Sequence, residues 1–216
     1  MDQRQRLTPQ MAGGLASAAV LLLAVLALAA FVVRDAEEER ITGEAAVDAI
    51  IGAVERQDIS ALLDRVMYLE TPCSLAPLPD PVTNIEPPSC PAGAADSTMI
   101  PVFMTGSCEG RWVTAEGVLA TFAERLSDPQ QVYAVVRMET PYNFIVAQYR
   151  IVFGRPGELA FPFSGHIAVF DGAIVQLATW CDGVREQFLT LEAAGGEPLF
   201  VSPDLEIESP IQAGGS

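Results

Sequence analysis

His166 is the only imidazole among the 216 residues, so any acid–base chemistry that needs one must run through it. A base also needs a partner that orients it, and no spacing in the chain fixes one. A two-residue turn at Asp171-Gly172 pairs His166 with Leu177 and puts it on a face with Ala168, Phe170 and Val175. That face is apolar, which favours a hydrogen-bonded core histidine over a base. The chain has no lysine, which excludes Schiff-base chemistry, a lysine nucleophile and a P-loop. Its ESP, SGH and GSC triplets lack the strand-turn-helix setting of a nucleophile elbow. Cys73, Cys90, Cys108 and Cys181 lack the close pairing of zinc ligands, so no metal and no cofactor is expected, and the even count reads as disulfides. Trp112 and Trp180 could stack on a ligand, although aromatic residues on a sheet more often pack in the core.

Charge and hydropathy set where this chemistry would operate. Residues 14–33 form a 20-residue run without a charge, long enough at about 1.5 Å per residue to cross the roughly 30 Å of a bilayer core. Arg4 and Arg6 precede the run, whereas Asp35, Glu37, Glu38 and Glu39 follow Arg34. That asymmetry keeps the N-terminus in the cytoplasm and carries the rest outside the cell membrane. The expected order is a cytoplasmic N-terminus (1–11), a single-pass anchor in the lipid bilayer (12–34), an acidic linker (35–41), an extracytoplasmic domain (42–189) and an acidic, disordered tail (190–216). The Ala27-Leu28-Ala29 triplet leaves a cleaved signal peptide open. Beyond Arg34 the chain holds 9 arginines and 27 acids, a surface that repels phosphate backbones, so nucleic acid is not an expected partner.

The domain reads as helices followed by strands. Val47, Ile50, Ile51 and Val54 repeat at the spacing of one buried helix face after Thr42 as cap, and Ile59, Leu62, Leu63 and Val66 repeat it after Asp58. Thr114 opens a third helix, with Val118, Leu119, Phe122 and Leu126 inward. Between the second and third helices, residues 71–103 hold eight of the sixteen prolines and read as a long inserted loop. Cys73 and Cys90 flank much of it and read as its staple, though spacing does not exclude Cys73 with Cys181. From residue 131 the pattern turns to strand in four runs, QVYAVVRME, NFIVAQYRIVF, LAFPFSGHIAVF and AIVQLATWC, joined by short turns that force an antiparallel meander.

The segments AAVDAIIGAVERQDISALLDRV (45–66), VTAEGVLATFAERL (113–126) and GHIAVFDGAIVQLATW (165–180) resemble the nuclear transport factor 2-like superfamily, with its SnoaL-like cyclases and ketosteroid isomerases. The resemblance implies an α+β fold, three helices on a curved four-stranded antiparallel sheet, enclosing a cone-shaped pocket. It places Trp112, Tyr149, His166 and Trp180 around that pocket, lets Asp182 partner His166, pairs Cys108 with Cys181, and implies a homodimer. An isomerase-like site would draw on Tyr133, Tyr142, Tyr149, Glu139 and Asp182, which nothing in the spacing brings together. Three functions follow in order: a binding module without catalysis, taking a small apolar ligand or an envelope protein; an isomerase, lyase or hydrolase around His166 and Asp182; and a purely structural tethered domain.

Overall fold

A computed structural model describes residues 41–80, 85–107, 110–139, 141, 145–159, 164–179 and 181–206. The chain divides after Ile41, and every element below belongs to the unit that begins at Thr42. The expected membrane span, residues 14–33, lies outside the described residues. Among the described residues no helix is long and apolar enough to cross a membrane, so the structure lends the spanning expectation no support.

The two amphipathic stripes form α1 (Ala45–Glu55) and α2 (Ile59–Leu63), and the stripe residues Val47, Ile50, Ile51, Val54 and Leu62 are buried. Thr42 does not cap α1. Its hydroxyl donates to the Asp48 carboxylate at 2.7 Å, and Glu44 takes the capping position without a side-chain bond. Asp58 does cap α2, accepting from the Ala61 N–H at 3.1 Å. Gln57, between the helices, takes a φ of 55° and sends its amide to the last-turn carbonyl of Leu126, 2.8 Å away. That carbonyl ends α3 (Ala115–Arg125), whose Val118 and Phe122 are buried, whereas Leu119 faces solvent.

The four-stranded cone is not the sheet that forms. Eight strands make one mixed sheet: β1 (Leu69–Pro72), β2 (Met99–Ser107), β3 (Arg111–Val113), β4 (Gln131–Arg137), β5 (Tyr149–Gly154), β6 (Ser164–Phe170), β7 (Ala173–Thr179) and β8 (Glu197–Val201). Their order is β1-β2-β7-β6-β5-β4-β8, with β3 on β2. The expected meander is its centre, β4 to β7, antiparallel throughout. Asp171 and Gly172 turn β6 into β7 with φ of 49° and 73°, the two positive values that a type I′ turn needs.

Three strands arise where a loop or a tail was expected. Prolines argued against strands in residues 71–103, yet Pro101 lies where β2 pairs with β1 alone, before its pairing with β3 and β7 begins. A residue without an N–H is tolerated on such a one-sided stretch. Beyond it, β2 runs parallel to β7 with Met104 opposite Gln176. The described remainder of the insertion, 73–80 and 85–98, carries a bridge between Ser74 and Ser89 and is closed by the Cys73–Cys90 disulfide. At the other end, α4 (Val184–Ala193), β8 and a short turn of helix, α5 (Pro203–Glu206), replace the expected disorder from residue 190 as far as Glu206. Val184 and Leu191 pack with Val136 and Val152, and Gly196 lets the chain turn back. A Cβ there would stand 2.3 Å from Val136 Cγ1 and 2.8 Å from the Leu191 carbonyl.

The sheet is therefore covered on two faces. Alternation along the strands puts Met104, Gln176, Ala168, Arg150 and Val136 in one row and Val152 two residues along on the same face, which α4 covers. Phe103 points the other way and packs on Phe122 of α3, ring centres 5.8 Å apart.

Candidate functional site

The row across the sheet explains where the histidine lies. Arg150 and Gln176 are the cross-strand partners of Ala168 on either side, and His166 lies two residues from Ala168 on the same face. Ala168 ends at Cβ, so the long Arg150 side chain can cross over it. Its Nη1 lies 2.8 Å from His166 Nε2 and donates to Gln176 Oε1, also 2.8 Å away. Both bonds form if Nε2 carries its lone pair, so we assign the ring proton to Nδ1. The 3.0 Å approach of His166 Nε2 to Gln176 Oε1 is then that of two acceptors gathered around one donor.

This cluster is sealed. Arg150 is 1% exposed and His166 3%. Burial and the neighbouring guanidinium push the His166 pKa from 6.5 down to about 3, with the Gln176 amide oxygen, which would accept from the charged ring, acting in the opposite sense. A ring so weakly basic is a poor proton acceptor from substrate at neutral pH.

The expected register placed His166 opposite Leu177; it pairs with Ala178, because a bulge between Ala168 and Val169 leaves Val175 without a partner and shifts the strand by one. Asp182 does not join it. The Asp182 carboxylate is exposed, no hydrogen bond connects it to the imidazole, and its backbone carbonyl accepts from the Ser164 hydroxyl at 2.6 Å. Trp112, on β3, is half-buried between the Met104 cluster and the Ile100–Val102 cluster. Tyr149, at the start of β5, lies beside Arg137 at the opposite end of the strand from the cleft described below. Trp180 and Tyr142 lie outside the described residues. Tyr133 is a structural clamp, donating to the Arg155 carbonyl and accepting from the Gly157 N–H, each at 2.9 Å. Cys181 is disulfide-bonded, and Cys108, its expected partner, lies outside the described residues. Among the described residues, no three metal-ligating side chains converge.

A cleft of about 290 Å³ opens on the α3 side of the sheet. Glu124 and Arg125 from the end of α3 line it, with Asp128 and Gln130 from the following turn, Phe153 and Arg155 from the end of β5, and Thr179 from the end of β7. Ser127, after α3, and Ser164 and Gly165 of β6 complete the lining. Gly165 is required by packing: a Cβ would fall 2.7 Å from Phe153 Cζ, so the backbone is bare where the ring crosses it. Arg155 is held by ion pairs to Asp128 and, at 3.7 Å, to Glu158. Gln130 is fixed by its amide donating to the Asp128 carbonyl at 2.9 Å.

Sequence reasoning missed Arg150, Gln176 and the cleft. A lone arginine inside the run NFIVAQYRIVF was a legible signal, since an unpaired charge does not survive burial between apolar strands. The cleft had none, because four separate segments build it. No family model, curated protein or solved structure matches this chain.

Proposed function

We propose that the unit from Thr42 is a binding module without catalytic activity, holding a small polar molecule in the cleft between α3 and the ends of β5, β6 and β7. One observation carries the reading: the groups that could do chemistry are already engaged elsewhere. The sole imidazole is neutral and sealed with Arg150 and Gln176. In the cleft, Ser164 gives its hydroxyl proton to the Asp182 carbonyl instead of to a base, and Arg155 is neutralised by Asp128. Side chains fixed by the protein's own hydrogen bonds present a pre-formed surface, which suits recognition. Three helices ahead of an antiparallel meander with an Asp-Gly hairpin support kinship with the nuclear transport factor 2-like superfamily. The Cys73–Cys90 disulfide and the bonded Cys181 support an oxidising, extracytoplasmic location.

Calorimetric titration of the full chain with a panel of small polar molecules tests the reading. Binding that Thr179→Trp abolishes without lowering the melting temperature is expected. Binding unchanged by that substitution would move the site elsewhere.

A further inference from the structure

Resting on the cleft as the binding site, we propose that Arg125 anchors a carboxylate, so that the ligand is a small organic acid. Arg125 is the cleft cation to which no carboxylate of the described residues is paired, whereas Arg155 has two. Its Nε is buried, and no acceptor among the described residues reaches it. An N–H withdrawn from water without a partner costs about 1–3 kcal/mol, a cost relieved when the guanidinium turns this edge toward an oxygen in the cleft. Placement at the C-terminal end of α3 accounts for a cation there through the helix dipole. It does not account for a buried Nε–H that reaches no carbonyl.

The chemistry of the group selects the ligand. A guanidinium presents Nε–H and one Nη–H along a single edge, matched to the two oxygens of a planar carboxylate. A lysine would offer only a point charge. The charged side chains of the cleft, Glu124, Arg125, Asp128 and Arg155, sum to zero within a chain that carries −16, so attraction of an anion rests on Arg125 itself. Asp128 is cancelled by Arg155, Glu124 lies exposed, and Arg125 is left as the uncompensated charge at the buried edge. The volume of about 290 Å³ sits at the small end of ligand cavities and suits a molecule of a few carbons rather than a peptide or lipid.

The test is calorimetric titration of the full chain with succinate, succinamide and inorganic phosphate, repeated with Arg125→Gln and Arg125→Lys. We expect saturable succinate binding, at least tenfold weaker succinamide binding, a loss of tenfold or more in Arg125→Gln and a partial loss in Arg125→Lys. Thermal melting of each variant shows whether the fold survives. Succinate bound equally well by Arg125→Gln, or phosphate bound more tightly than succinate, would overturn the carboxylate assignment. Succinamide bound equally by all three proteins would overturn it too while leaving the binding-module reading standing. No binding of any probe overturns the carboxylate claim, and a wider panel that also fails to bind overturns the module with it.

Discussion

Arg150 holds a full charge at 1% exposure and directs one nitrogen toward two neutral acceptors. Replacing it with methionine keeps the stem but leaves His166 Nε2 and Gln176 Oε1 buried without that donor. A loss of about 2 kcal/mol or more in urea unfolding is expected. The His166 pKa should rise in the same variant, because the guanidinium is one cause of its depression. In the wild-type chain that depression has a definite pH signature. The unfolded chain binds the proton below about 6.5 and the folded one only near 3, so between those values the unfolded state holds more protons. The full contribution is therefore present above pH 6.5, and stability falls as pH drops through the window, by up to about 1.4 kcal/mol per pH unit from this group. A shallower slope in His166→Gln, measured by denaturant unfolding at pH 4 to 7, checks the assignment. Gln187 predicts the opposite sign: fully buried in α4 with neither amide atom bonded, it should give a chain more stable by about 1 kcal/mol as Gln187→Leu.

At the scale of elements, what the chain discloses depends on whether the signal is local. The α1 stripe, the Asp58 cap and the Asp171-Gly172 turn each reside within a dozen residues and are found where their pattern puts them, whereas the second stripe holds only to Leu63, and Val66 bridges to Ile174 instead. Pro72 and Pro101 masked β1 and β2, because a proline is read as a break unless the neighbouring strands are known. Strand β8 was illegible for a related reason. Its partner among the described residues, β4, lies some sixty residues earlier, and its few apolar side chains gain a core only after α4 has packed. The same logic concealed the cleft and left the His166 register one residue off, since a bulge shows no signature in a single strand. Gly196→Ala tests the packing of this C-terminal unit. The added methyl must displace Val136 or the Leu191 carbonyl, costing about 1–3 kcal/mol, and amide exchange should speed up in α4 and β8 ahead of the meander.

Within the unit that begins at Thr42, the sheet carries helices on both faces, α3 against β2 and α4 against β4 and β5. The cleft beside Arg125 lies where β5, β6 and β7 end or begin. The stapled insertion lies at the β1 edge of the same sheet, and the Cys73–Cys90 bond closes it. Cys73→Ala with Cys90→Ala should cost about 3 kcal/mol by the chain-entropy account, seen as a lower urea midpoint, without altering ligand affinity at the distant cleft. The central claim, binding without chemistry, is read most directly by one nuclear magnetic resonance titration that follows the amides of the full chain together with the resonances of added succinate. The account predicts shifts centred on Arg125, Gly165 and Thr179, and succinate signals that stay unaltered for days. Shifts centred on Arg150 and His166, or the appearance of product signals, would contradict it.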